Sequence, residues 1–203
     1  RAVDRAAAAG VLWVNSSGNF AQRHWEGPVP PEGADVPFTV GPTGATLDIH
    51  LSWADPAATG ALVVQQQAAD GTWVTVFSGT ASGPVSRAVG PAPAGAGAWR
   101  AHIVQTAGPS TTFTLFSRTV SFDLDPSQRV SSIATPADAQ GAVSVGAVPW
   151  TGDDAAPYSS QGPIDDGRAA PTLAAPTYVT ANPAWPGTAG TSAATAHAAG
   201  AAG

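Results

Sequence analysis

The spacing of apolar residues changes character twice along the chain. At the start, RAVDRAAAAG sets alanines among charges and closes on Gly10, which predicts the last turns of a helix with glycine at its C′ position. VLWVN follows as a short apolar strand, and a helix feeding a buried strand belongs to the middle of an α/β unit. Residues 28–37, PVPPEGADVP, read as a proline-rich leading loop. From about residue 38 the period becomes two. In TLDIHLSW, Leu47, Ile49 and Leu51 alternate with Asp48, His50 and Ser52, so one strand buries one face. ALVVQQQAADGTWVTVF predicts two strands about an Asp70-Gly71 turn. WRAHIVQ and TTFTLFSRTVSF add two more, and the Gly- and Pro-rich stretches between them, PAPAGAGA included, read as loops. Five or six short strands at this spacing predict a small β-sandwich.

After residue 124 the pattern changes again. AVSVGAV is apolar but for Ser144 and does not alternate, as in a parallel strand buried on both faces. SSQGPIDDGR reads as a polar loop, and the tail from Ser192 as a helix. The expected fold class is α/β, a partial parallel sheet with helices interrupted by an all-β sandwich. The expected divisions are 1–27, 28–124 and 125–203. No internal repeat is present. Both ends read as cut through a fold, which predicts a piece of a longer domain.

Composition narrows the possible roles. Only 11% of the 203 residues are charged, the net charge is −6, and Lys and Arg nowhere cluster. A nucleic-acid backbone is therefore not an expected partner. No apolar run reaches the roughly 18–20 residues that span a bilayer. RAVDRAAAAG is no signal peptide. The absence of Cys removes a disulfide framework and a thiolate metal site, without deciding the compartment.

The candidate chemistry begins at Gly190, in GTSAATAHAAGAAG. A serine at a helix N-terminus sits among unpaired backbone N–H groups at the positive end of the dipole, which suits a developing oxyanion. The same residues also describe a plainly capped, alanine-rich helix. The residues alone leave both readings open.

That segment resembles the serine motif G-T-S-x-A-x-P-H-V-A-G of the subtilisin-like serine peptidases, with Gly190, Thr191, Ser192, Ala194, His197, Ala199 and Gly200 in agreement. WVNSSGN, TPADAQGAVSVGAV and YSSQGPIDDGRAAPTLAAP resemble three further segments of that family, in the same order. The resemblance implies a subtilisin-like sheet and peptide hydrolysis. Ser192 is then the nucleophile, and the Asn19 amide donates to the oxyanion with the Ser192 N–H. Asn15, Ser16, Ser17 and Gly18 line one wall of the substrate pocket. His197 lies too far along the helix to be the base and is expected to be structural.

The family's triad runs aspartate, histidine, serine. No H-G-T or D-[ST]-G segment occurs here, so both partners are expected upstream of Arg1, with this chain inactive alone. Three positions depart from the motifs: Ala196 replaces a proline, Thr172 an aspartate and Thr177 a glycine. They leave open a non-catalytic platform whose β-sandwich binds a protein or glycan. A sedolisin-type acid peptidase shares the G-T-S segment but not the H-x-A-G continuation.

Other polar groups support blander readings. His50 and His102 fall on polar strand faces and His24 in a loop, without metal-site spacing. Asp153-Asp154 and Asp165-Asp166 lack the spread of oxygens that calcium needs and read as turn carboxylates. The expectation is a secreted peptidase with no cofactor, calcium being an alternative that no clear motif supports. Its partners would be a polypeptide substrate and the N-terminal remainder of its own domain.

Overall fold

The structure is a computed structural model, and it describes residues 1–82, 85–86, 92–180 and 187–203. In chain order these form α1 (Ala2–Ala8), β1 (Trp13–Ser16), β2 (His24–Pro28), β3 (Ala34–Val40), β4 (Ala45–Leu47), β5 (Ile49–Trp53), β6 (Thr59–Gln67) and β7 (Trp73–Ser82). There follow β8 (Val85–Ser86), β9 (Ala92–Ala94), β10 (Gly97–Ala107), β11 (Thr112–Ser117), β12 (Ala142–Pro149), β13 (Leu173–Thr177) and α2 (Thr191–Ala202). They fall into two compact units, one of Arg1–Ala21 with Arg129–Gly203 and the other of Gln22–Gln128.

The Gln22–Gln128 unit is antiparallel. One four-stranded sheet has the order β3-β10-β6-β7 and another β2-β11-β5-β8, with β4 and β9 forming a small pair. Val36 and Phe38 of β3, Leu62 and Val64 of β6, and Trp99 and Ile103 of β10 join Ile49, Leu51, Phe113 and Leu115 of the other sheet in one buried cluster. Alternation along each strand brings this about, since every second residue faces inward. The hairpin between β6 and β7 turns at Asp70-Gly71. There the Asp70 carboxylate accepts the Thr72 N–H and hydroxyl at 2.9 and 2.6 Å, and Gly71 takes φ +87°.

Several expected features of this unit differ. TLDIHLSW buries Leu47, Ile49 and Leu51, but it breaks at Asp48 into β4 and β5. Asp48 N–H donates to the Thr119 hydroxyl at 3.0 Å, and its carbonyl accepts the Arg118 N–H at 2.9 Å. These distant partners take the ladder's place. The leading loop shortens because Ala34–Pro37 pair with β10. His24 opens β2 opposite Phe116 and is buried, not in a loop. Within PAPAGAGA, Ala92–Ala94 pair with β4; residues 83, 84 and 87–91 lie outside the described residues.

The other unit carries a three-stranded parallel sheet, β1-β12-β13. Parallel register pairs Asn15 with Ser144 and Ala147 with Ala175. The alanines of α2 let it lie close on this sheet: Ala194 is fully buried and Ala198 packs against Val145, Ala147 and Ala175. β1 is an edge strand; its first residue, Trp13, is 38% exposed, and Val11 and Leu12 just ahead of it are 52% and 61% exposed. α1 is tied to the turn ahead of β12 by the Asp4 carboxylate, which accepts the Gly141 N–H at 3.0 Å.

Candidate active site

Three segments far apart in sequence meet at the N-terminus of α2. The first is the loop after β1. Ser17 N–H donates to the Val145 carbonyl and its own carbonyl accepts the Ala134 N–H, both at 3.0 Å, so the backbone is fixed on both sides before it reaches Asn19. Ser160 of the Y-S-S segment then brackets Asn19. Its N–H donates to the Gly18 carbonyl at 2.9 Å, and its hydroxyl accepts the Phe20 N–H at 3.0 Å. The Tyr158 carbonyl accepts the Ala21 N–H at 3.2 Å.

The second segment is the helix start. Asn19 Oδ1 accepts the Thr191 N–H at 2.9 Å and the Thr191 hydroxyl at 3.0 Å. Two donors on one side require the oxygen of the amide there, which turns Nδ2 the other way. It faces the notch at Gly190. A Cβ placed on Gly190 would lie 3.2 Å from Ser192 Oγ, 3.4 Å from Asn19 Nδ2 and 3.8 Å from Ser192 N. One point in space is thus approached by a nucleophile-type oxygen, a side-chain amide donor and a backbone N–H that has no i−4 partner in the helix. Gly190 keeps that point empty, and its φ of +124° is one that glycine adopts freely.

The third contribution is a pair of hydroxyls from behind, Tyr158 from the Y-S-S stretch and Thr177 from the end of β13. Gly190 N–H donates to Tyr158 Oη at 2.9 Å and to Thr177 Oγ1 at 3.1 Å. The two oxygens are themselves 3.1 Å apart. Thr177 and Thr191 are fully buried, whereas Ser192 and Asn19 are exposed. The supporting threonines are thus buried beneath the exposed Ser192 and Asn19.

The pocket-wall residues are divided. Asn15 Nδ2 donates to the Ser16 carbonyl at 2.9 Å, Ser16 pairs with Val145 in β1, and Ser17 is fully buried beneath. Gly18 packs under Phe20, Ser160 and Ala134. His197 is exposed on α2 beside Leu173–Pro176, not enclosed as a structural histidine. It sits five positions beyond Ser192, about 140° around the axis and about 7.5 Å along it, so it does not share the serine's face. His50 and His102 pair with Asp48 and Asp35 at 2.5 and 2.6 Å. Among the described residues no group of three His, Asp or Glu side chains is disposed to hold a metal. Asp166 is engaged by Arg168 at 2.8 Å, which holds its carboxyl below the ordinary carboxylate range.

No sequence pattern marks Tyr158, Ser160, Thr177 and Thr191 as a set: Tyr158 and Ser160 lie in one segment that resembles the family, Thr191 lies in another, and Thr177 departs from the family's motif.

Comparison with known families places the chain. The Subtilase family (peptidase S8) matches residues 49–203, a span that holds Tyr158, Thr177 and Ser192; Asn19 lies before it. The chain belongs to the subtilase family. Of solved structures, the CspB protease of Clostridium perfringens is similar, with a TM-score of 0.59 and 15% identity over 93% of this chain and 47% of that one. At such identity the likeness speaks for the fold, and this subtilase chain spans about half the length of that relative. The mitogen of Yersinia pseudotuberculosis aligns with 50% of the chain and 86% of its own, at 13% identity and a TM-score of 0.35, too slight a likeness to bear on the fold. A search of curated proteins returns no significant match. No helix among the described residues is long and apolar enough to cross a membrane.

Proposed function

We propose that this chain is the serine-bearing part of a secreted subtilisin-like serine endopeptidase. The observation that carries the reading is the meeting of Ser192 Oγ, Asn19 Nδ2 and Ser192 N around the empty notch at Gly190. In the reaction, Ser192 Oγ bonds to the scissile carbonyl carbon while its proton passes to a histidine base. The carbonyl oxygen, now negative, receives hydrogen bonds from Asn19 Nδ2 and the Ser192 N–H. The C–N bond then breaks, the amine leaves with the proton, and water hydrolyses the acyl-enzyme. Asn15 and Ser16 take the wall of the pocket for the residue ahead of the cut, with Ser17 and Gly18 supporting it from beneath. No cofactor enters this chemistry.

The histidine and its aspartate belong, in this reading, to a segment upstream of Arg1. Two features support that: β1 is an edge strand with exposed Val11, Leu12 and Trp13, and the chain aligns with about half of the CspB protease. Exposed apolar residues on an open edge suit pairing with further strands. The Gln22–Gln128 unit is, in the same proposal, a β-sandwich inserted between the asparagine loop and β12. Its two four-stranded sheets and single buried cluster support this.

The test is labelling of the full-length protein with a fluorophosphonate, with the adduct mapped by mass spectrometry. A stoichiometric adduct on Ser192 is expected. A folded full-length protein that takes none would overturn the enzyme reading and shift attention to binding by the β-rich unit.

A further inference from the structure

We propose that Thr177 and Tyr158 act as positioning residues for the serine-bearing turn, through a closed ring of hydrogen bonds on Gly190; the inference rests on Ser192 as nucleophile. The donors and acceptors can be assigned without conflict. Gly190 N–H is shared between Tyr158 Oη and Thr177 Oγ1 at 2.9 and 3.1 Å. The Tyr158 hydroxyl donates to Thr177 Oγ1 at 3.1 Å. The Thr177 hydroxyl then donates to the Gly190 carbonyl at 3.5 Å, so every hydroxyl proton has an acceptor.

Both hydroxyls stand on fixed ground. Thr177 ends β13, in register with Pro149, and its carbonyl accepts the Trp150 N–H at 3.2 Å. Tyr158 is held through its carbonyl to Ala21, on the asparagine loop, and its ring meets Tyr178 edge-on at 6.3 Å. The ring therefore ties the residue before Thr191 to the sheet and, through Tyr158, to the segment that follows Asn19. Ser192 and Asn19 are exposed and have no cover of their own, so the alignment of Oγ with Nδ2 depends on how tightly Gly190 is held from beneath. The glycine that the subtilisin-like motif carries at position 177 has no side chain and could supply no such bond. Thr177 departs from that motif and brings a hydroxyl to the position. The Gly190 carbonyl also accepts the Ala193 and Ala194 N–H groups at 3.1 and 3.3 Å. The Thr177 hydroxyl thus ties the sheet to a residue that the helix start already holds, and it narrows the motion left to that turn.

The experiment uses the full-length protein with Thr177→Val, Thr177→Ser and Tyr158→Phe. Fluorophosphonate labelling of Ser192 is resolved into probe affinity and the first-order acylation constant, and Gly190 amide exchange is followed by NMR. Valine keeps the shape and removes the hydroxyl, so the acylation constant should fall about 5- to 10-fold with affinity unchanged. Gly190 exchange should rise by a similar factor while the β12 amides hold. Serine should restore both to within about twofold, and phenylalanine at 158 should reproduce the valine result. Labelling and Gly190 exchange at wild-type levels in Thr177→Val would overturn the proposal, as would equal losses for valine and serine. Failure of wild type itself to take an adduct removes the peptidase reading. The ring is then decided by Gly190 exchange alone, upheld if valine raises it and serine does not, and overturned otherwise.

Discussion

Asn19 and Thr191, 172 positions apart, share two hydrogen bonds: a single carboxamide oxygen accepts both the backbone N–H and the hydroxyl of the threonine. This relationship decides which way the amide points. With Oδ1 committed to Thr191, Nδ2 is left facing the notch beside Ser192, and the donor is oriented before any substrate arrives. Preorganisation of this kind is where electrostatic stabilisation of an oxyanion is strongest, since no dipole must turn during the reaction.

Replacing Asn19 by alanine removes the donor while leaving Ser192 in place. In the full-length protein, kcat should fall about 100- to 1,000-fold with KM nearly unchanged, the size known for loss of the amide donor in subtilisin. Steady-state kinetics on a peptide substrate check this. A loss confined to KM would mean that Asn19 binds substrate and does not meet the oxyanion.

Gly190→Ala tests the notch itself. The new methyl would stand 3.2 Å from Ser192 Oγ and 3.4 Å from Asn19 Nδ2, crowding the space that the proposed mechanism gives to the substrate carbonyl. The φ of +124° also strains any side chain, at a cost of about 1–3 kcal/mol. Ser192 labelling should disappear while denaturant melts show a protein that still folds. Retained labelling would mean that the reacting carbonyl sits elsewhere.

What the sequence revealed of this site follows from how local each determinant is. The Ser192 turn and the Asn19 strand end were legible because each is written in consecutive residues. The same holds for β12, read as a continuous apolar run, and for the Asp70-Gly71 hairpin. Thr191's hold on Asn19 and the convergence of Tyr158 and Thr177 on Gly190 were not legible, since each joins segments that only the fold brings together. The break at Asp48 was hidden for the same reason: its cause lies at Arg118 and Thr119. So was the edge of the β-rich unit. His24–Pro28 looks like loop sequence beside the asparagine motif, yet it pairs with Thr112–Phe116 and belongs with the strands.

The core of the β-rich unit centres on Trp99, which is fully buried, stacked on Phe38 at 6.2 Å and bonded through Nε1 to the Gly95 carbonyl at 3.0 Å. Trp99→Ala should destabilise that unit by about 3–5 kcal/mol. Trp99→Phe keeps the ring contact and should cost less. Amide exchange resolves the effect, with protection expected to fall in β3, β6 and β10 together. Unchanged protection in those strands would show that the cluster does not hold the sheet.

Acid should loosen α1 through Asp4. Its carboxylate accepts the Gly141 N–H at 3.0 Å, and that bond lowers its pKa from the ordinary 3.8. A group with a depressed folded-state pKa contributes stability that is complete above the unfolded value and is lost as pH falls through the folded one. The Gly141 amide should therefore stay protected from exchange above about pH 5 and lose protection progressively below 3.8, the unfolded value. Asp4→Asn cannot ionise, so its Gly141 amide should exchange faster at neutral pH and show no acid-dependent step. A step of equal size in the variant would assign the transition to a different carboxylate.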